Sequence, residues 1–259
     1  MNQDFQKIIE AAKRGGEILK KYFGEELKIE RKSTAADFRT KVDKESEETI
    51  LNILSKYFPD YNIFAEESGK KDNGSEYTFV IDPLDGTNNF VLGIPYFSVT
   101  IALLKNDETI FAVIHNPITD QTCWAEKGKG AFLQGKKIKV GAEKNITKSS
   151  VVYSCSYALS NSEQTGNIIK DLKCRKKVKR VLTNWCPTLD YCLLASGKIE
   201  SIINDDNEIY DYIAGKLIAK EAGAVITDFK GREQKDKDSV FVASNNEVIH
   251  GEVLEIVRD

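Results

Sequence analysis

The sequence predicts an α/β protein whose candidate functional residues sit where strands end. Three observations carry this. Phe5, Ile8, Ile9, Ala12, Leu19, Tyr22 and Phe23 recur at three- and four-residue intervals, the period of one helix face. Phe97 to Leu104, Thr109 to Ile114 and Gln121 to Glu126 alternate apolar with polar, as a strand meander does. The apolar run Phe79-Val80-Ile81 enters Asp82-Pro83-Leu84-Asp85-Gly86-Thr87, so a strand end delivers two carboxylates into Pro and Gly punctuation.

Bulk properties narrow the function classes. A chain of 259 residues has room for one large or two modest domains with a sizeable core. Charged residues make up 30% but the net charge is only −3, so no global basic field points to nucleic acid or an anionic membrane, and the expected partner is a small molecule. Residues 1 to 20 lack the apolar core of a signal peptide, and no stretch reaches the roughly 20 apolar residues of a membrane span, so a cytoplasmic protein is expected. The five cysteines, at 123, 155, 174, 186 and 192, form no Cys-x-x-Cys pair, and His115 and His250 are too few for a usual zinc site. Any metal would therefore be held by oxygen, which selects Mg2+, Ca2+ or Mn2+.

Along the chain, the first helix carries Gly15-Gly16 as a close-packing point. Lys28 to Lys41 is polar, and Lys32 to Asp37 reads as a loop. Asp43 reads as the cap of a second helix with Ile50, Ile53, Leu54, Tyr57 and Phe58 on its buried face, stopped by Pro59. Ile63-Phe64-Ala65 is a strand running into Glu66 and Glu67, which alternation sends to opposite sides, so that one of them faces the same site as Asp82. Asp82 to Asp85 reads as a tight turn that Gly86 leaves in a conformation other residues resist. Gly128-Lys129-Gly130 reads as a hairpin, because no helical pattern follows it. The polar stretch Lys144 to Ser150 suggests a boundary between lobes at 1–145 and 146–259. Beyond it come a strand at Val151 to Tyr157, a helix at Ser162 to Leu172, a strand at Val178 to Leu182 and a helix at Pro187 to Ala195 closed by Gly197. A strand at Ile199 to Ile203 leads into the acidic run Asn204 to Asp211. Asp211 then opens a helix over Tyr212 to Ala222, where it reads as a cap; strands at Val225 to Thr227 and Val240 to Ala243 and a helix at Val248 to Val257 complete the chain.

Ala65-Glu66-Glu67-Ser68, Asp82-Pro83-Leu84-Asp85-Gly86-Thr87-Asn88-Asn89-Phe90 and Tyr210-Asp211-Tyr212-Ile213-Ala214-Gly215, in this order and at these separations, resemble the inositol monophosphatase family of magnesium-dependent, lithium-sensitive phosphatases. Trp124-Ala125, Gly128-Lys129-Gly130-Ala131, Gln134-Gly135 and Glu221-Ala222-Gly223 match further pieces of the family pattern, so the likeness spans nearly the whole chain. The resemblance implies a layered α/β/α/β/α sandwich and a homodimer. It also implies that Glu66, Asp82 and the Leu84 carbonyl hold one Mg2+, and that Asp82, Asp85 and Asp211 hold a second. By the same likeness Glu66 and Thr87 position or deprotonate a water with Asp43 orienting Thr87, the Gly86 and Thr87 amides hold phosphate, and Lys32 closes over a third metal position. Mn2+ or Ca2+ are alternative occupants of such sites.

The likeness fails where substrate is chosen. The family's Arg-Ser-x-Gly-Ser-Ala-Ala string is replaced by Leu182-Thr183-Asn184-Trp185-Cys186-Pro187-Thr188. Its hydroxyl-contacting glutamate falls at Asn204, with Asp205, Asp206 and Glu208 as nearby alternatives, and the usual Trp before the last aspartate is Tyr210. The expectation is a Mg2+-dependent phosphomonoesterase for a polyol or sugar phosphate, inositol 1-phosphate first. Related phosphatases of 3′-phosphoadenosine 5′-phosphate, fructose 1,6-bisphosphate or histidinol phosphate are the alternatives. A catalytically silent regulatory or binding module is disfavoured, because Asp43, Glu66, Asp82, Asp85 and Asp211 are all present.

Overall fold

The structure, a computed structural model, describes residues 3–25, 29–31, 38–155 and 162–258. Lys32 and the loop read at 32–37 lie outside the described residues. Two helices, α1 (Gln3–Tyr22) and α2 (Lys41–Tyr57), flank a short ribbon of β1 (Ile29–Arg31) and β2 (Phe38–Thr40). An eight-stranded sheet follows, formed by β3 (Asn62–Ala65), β4 (Gly69–Lys71), β5 (Tyr77–Asp85), β6 (Ser98–Lys105), β7 (Glu108–Asn116), β8 (Gln121–Glu126), β9 (Gly130–Leu133) and β10 (Lys136–Ile138), with α3 (Thr87–Val91) after β5. Its order is β10-β9-β8-β7-β6-β5-β3-β4, antiparallel except for the β3–β5 pair. The chain continues through β11 (Ser150–Cys155), α4 (Ser162–Cys174), β12 (Arg180–Leu182), α5 (Pro187–Ala195), β13 (Ser201–Asp205), α6 (Ile209–Glu221), β14 (Val225–Thr227), β15 (Val240–Ser244) and α7 (Glu247–Val257). These five strands form a second sheet ordered β12-β11-β13-β15-β14.

Strand alternation explains the layering. On β5, Phe79 and Ile81 face α1 and α2, whereas Val80 faces α5 and α6; on β6, Ile101 and Leu103 go one way and Ala102 and Leu104 the other. Ile202 on β13 joins the core shared with α5 and α6, and its neighbour Ile203 faces α4 and α7. The result is α1/α2, large sheet, α5/α6, small sheet, α4/α7: the α/β/α/β/α sandwich. The two central helices are buried nearly all round, as a middle layer requires. Close packing at Gly15 and Gly16 is real. A Cβ on Gly15 would lie 2.8 Å from Ile50 of α2, and one on Gly16 would lie 2.7 Å from the His115 ring of β7.

Four expectations are corrected. Helix α2 begins at Lys41, so Asp43 lies inside its first turn rather than capping it. Tyr57 is 42% exposed, because the helix ends as the chain turns outward and only Phe58 beyond it goes inward. Asp82 to Asp85 is not a turn: β5 runs through to Asp85, and Asp82 pairs with Thr100 while Asp85 pairs with Ser98, one residue being absorbed in a bulge. Pro83 is tolerated there because a bulge asks for no ladder donor. Asp211 is the third residue of α6; Glu208 is the N-cap, and the two form a reciprocal capping box in which the Glu208 amide donates to Asp211 Oδ2 at 3.1 Å. Among the described residues no helix is long and apolar enough to cross a membrane.

Candidate active site

Parallel pairing of β3 with β5 places the first two acids. Ala65 lies opposite Ile81, so Glu66 and Asp82 leave the sheet side by side, and the Glu66 amide donates to the Ile81 carbonyl at 3.1 Å. Asp82 Oδ1 then accepts the Leu84 amide at 2.9 Å, which closes the bulge and aims Asp85 back toward the same point. The third acid comes from far along the chain. Tyr210 packs edge-on against Phe64 of β3, ring centroids 6.2 Å apart, and this contact brings the first turn of α6 over the strand ends. One carboxylate oxygen each from Asp82, Asp85 and Asp211 lies within 4.8 Å of the others.

The electrostatics of this trio are unfavourable as the chain stands. Burial, followed by the charges of Glu66, Asp85 and Asp211, holds Asp82 well above the usual carboxylate range, and Glu66 and Asp82 are in hydrogen-bonding contact. Asp211 is raised in the same way, by burial and then by Asp85 and Glu66. Asp85 rises to about 6: burial raises it, and donors from Thr188 and Cys186 pull it back. Among the described residues no Lys or Arg ion-pairs with any of the three. Buried carboxylates crowded together without a counter-ion fit an oxygen-coordinated divalent cation, whose charge would restore their ionised forms.

Thr87 opens α3, and its hydroxyl donates to the Leu84 carbonyl at 3.0 Å with Asp43 Oδ1 at 3.5 Å, so the three residues do converge. Gly86, at φ +89°, takes the left-handed conformation expected of it, and a Cβ there would sit 3.1 Å from the Tyr96 carbonyl and 3.2 Å from the Trp185 carbonyl. Its amide, expected to meet phosphate, also helps to lower the Asp85 carboxyl against the effect of burial. Asn204 and Asp205, expected as substrate contacts, are engaged in bonds within the protein. Asn204 is fully buried in β13, accepting from Tyr191 Oη at 3.1 Å and Asn207 Nδ2 at 2.8 Å and donating to the Ser239 carbonyl at 2.5 Å. Asp205 is 6% exposed and accepts the Tyr153 hydroxyl at 2.7 Å.

Several positioning groups escape sequence reasoning. Asp85 Oδ2 accepts the Thr188 amide at 2.8 Å, the Thr188 hydroxyl and the Cys186 thiol at 3.1 Å, so the divergent Leu182–Thr188 stretch holds a site acid. Asn184 anchors the same stretch, donating to Asp190 at 2.6 Å and accepting Asn89 Nδ2 at 2.7 Å. On α2, Ser46 Oγ donates to the Pro83 carbonyl at 3.0 Å, and Glu47 accepts the Glu67 and Ser68 amides at 2.9 and 2.8 Å. The one signal for these was spacing: Asp43, Ser46 and Glu47 are polar at i, i+3 and i+4, in line with Ile50 on the buried stripe.

A five-layer α/β sandwich with an acid cluster at adjacent strand ends defines an α/β protein whose carboxylates Asp82, Asp85 and Asp211 could together hold a cation. The particular kind follows from comparison: the inositol monophosphatase family model matches residues 1–259, and the chain belongs to that family, whose members are phosphatases that hydrolyse phosphate monoesters. It is 34% identical to a fructose-1,6-bisphosphatase/inositol-1-monophosphatase of Aquifex aeolicus, over 99% of this chain and 97% of that one. The extragenic suppressor protein suhB of Bartonella henselae superposes with a TM-score of 0.92 at 29% identity, covering 100% of this chain and 99% of that one. An IMPase of Thermotoga maritima gives 0.87 at 32% identity, with 96% and 94% covered.

Proposed function

We propose that the protein is a Mg2+-dependent phosphomonoesterase acting on a polyol or sugar phosphate, with inositol 1-phosphate the first candidate and fructose 1,6-bisphosphate the second. The observation that carries this reading is the trio of buried Asp82 and Asp85 with half-buried Asp211, whose oxygens lie within 4.8 Å of one another. The Aquifex relative, named for both activities, supports the pairing of substrates. Asp82, Asp85, Asp211, Glu66 and the Leu84 carbonyl would hold two or three Mg2+ ions, with Mn2+ or Ca2+ able to replace them. The chemistry such cations supply is neutralisation of phosphate charge and acidification of a water molecule.

The chain's own residues do the rest. A hydroxyl has one proton and two acceptor lone pairs; Thr87 spends its proton on the Leu84 carbonyl with Asp43 alongside, leaving lone pairs to accept from water. Glu66, beside Asp82, is the carboxylate that takes the water's proton as its oxygen bonds to phosphorus in line; the ester P–O bond on the opposite side breaks, and the departing alcohol oxygen takes a proton from solvent. Thr188 and Cys186 donate to Oδ2 of Asp85, so Oδ1 is the oxygen that they leave uncommitted. The protein is further read as a cytoplasmic homodimer inhibited by Li+, the habit of the family it resembles; light scattering and Li+ titration test these points.

Initial rates of phosphate release from a panel of esters at fixed Mg2+ are the decisive measurement. Release from inositol 1-phosphate or fructose 1,6-bisphosphate that EDTA abolishes is expected. Equal rates with EDTA present sink the reading, and calorimetry showing no Mg2+ binding returns the chain to a silent binding module.

A further inference from the structure

Resting on that reading, we infer that Glu47 is a positioning residue for the cation site: it sets where Glu66 stands relative to Asp82 without touching substrate or cation. Glu47 is 3% exposed on α2, and its carboxylate answers to two successive backbone amides, those of Glu67 and Ser68, at 2.9 and 2.8 Å. Buried charge is costly unless it is hydrogen-bonded, and two charge-assisted bonds from fixed amides make this location tenable. The peptide planes so fixed are the two that follow Glu66, while the Glu66 amide is fixed from the other side by the Ile81 carbonyl at 3.1 Å. Backbone on both sides of Glu66 is therefore held, once by the sheet and once by Glu47.

Beside it on the helix, Ser46 ties the Pro83 carbonyl at 3.0 Å, and one turn earlier Asp43 lies 3.5 Å from the Thr87 hydroxyl. Helix α2 thus spans both acid-bearing segments and fixes the gap between them. Behind the Glu66–Ser68 turn lies an open hollow of about 450 Å³ lined by Lys44, Glu48, Leu51, Asn52, Glu67 and Ser68 together with Glu47. The turn is closed at its base by the β3–β4 pairing of Ala65 with Gly69, and the Glu47 carboxylate ties its two inner amides on the side of this hollow.

The test is Glu47→Gln in the full-length protein, with Glu221→Gln as the control. Glu221 likewise accepts two amides, from Gly128 and Gly130 at 2.8 Å each, but at a hairpin away from the acids. Glutamine keeps one acceptor and sets its NH2 against the other amide. Glu47→Gln is expected to weaken the Mg2+ dissociation constant, read by calorimetry, by about tenfold, the size of effect seen when a group supporting a metal ligand is lost. The Mg2+ concentration for half-maximal rate should rise in step. Glu221→Gln should leave the Mg2+ constant unchanged. An unchanged constant in Glu47→Gln, or an equal shift in both variants, overturns the inference while leaving the proposed function standing. Absence of Mg2+ binding by the parent overturns the proposed function and this inference together. If Glu47→Gln does not fold, Glu47→Asp, which keeps the charge but falls short of both amides, carries the same expectation and the same overturning result.

Discussion

Glu47 and Glu221 use one device in two places. Each is a helix carboxylate that accepts two nearby backbone amides of a turn, Glu67 and Ser68 in one case and Gly128 and Gly130 in the other. Their settings differ. Glu221, partly exposed at the end of α6, ties the β8–β9 hairpin to the central helical layer and so joins large sheet to middle layer. Glu47 is buried and ties down the residues next to a site acid. The difference teaches that the same bond contributes to stability wherever it occurs, but reaches the chemistry only when the clamped backbone carries a carboxylate of the site.

The comparison can be broken or sharpened by experiment. The largest effect is expected for Asp82→Asn, which removes the acid at the centre of the cluster: phosphate release at saturating Mg2+ should fall by about 10³-fold or more, roughly 4 kcal/mol of transition-state stabilisation. Its melting temperature in EDTA should stay level or rise, because one of several repelling buried carboxylates is gone. A parallel loss of stability and rate would show Asp82 to be scaffold, as Glu221 is. Gly215→Ala probes the scaffold alone. The new Cβ would fall 2.1 Å from the Tyr191 ring, an overpacking between α6 and α5 expected to cost about 3 kcal/mol in denaturant unfolding. A smaller figure, under about 1 kcal/mol, would mean that the middle layer yields more readily than its close packing suggests.

Acid titration separates site from scaffold in another way. His115 and His250 are both brought down to about 4 by burial first, then by Lys13 and Arg258 respectively. Their folded values lie below the free value, so the unfolded chain binds more protons between them. Stability is therefore complete above pH 6.5 and is lost as pH falls toward 4, by up to about 1.4 kcal/mol per pH unit for each histidine. His250→Gln should flatten the slope of unfolding free energy between pH 4.5 and 6 by nearly one proton; an unchanged slope would assign the acid loss to groups other than His250, and not to the site carboxylates, whose raised values make the folded protein gain stability as pH falls. The smallest effect expected is Glu221→Gln, about 1 kcal/mol of stability from one lost acceptor, with Mg2+ affinity untouched.

The divergent stretch Leu182–Thr188 shows why part of the site was illegible. Nothing in its composition marks Thr188 and Cys186 as donors to Asp85, since the contact joins residues about a hundred positions apart and depends on α5 being the layer behind β5. Asp43, Glu66, Asp82, Asp85 and Asp211 were legible because acids at strand ends and helix starts stand out against apolar runs. Asn204 and Asp205 were picked out in the same way, and their internal bonds were not legible. Polar residues in a strand look available in sequence, and only the second sheet and Tyr153, Tyr191 and Ser239 around them reveal that they are spent on internal bonds.

While the layered sandwich came from the family resemblance, the sequence by itself determined the helix and strand periods and the identity of the acids, because these rest on local spacing and side-chain chemistry. It did not determine the bulge that turns Asp82 and Asp85 to one point, the Tyr210–Phe64 contact that brings Asp211 to the strand ends, or the Glu47 clamp behind Glu66. Those depend on which surfaces meet when the layers stack, and a carboxylate's role in this molecule is set by the groups that stacking places around it.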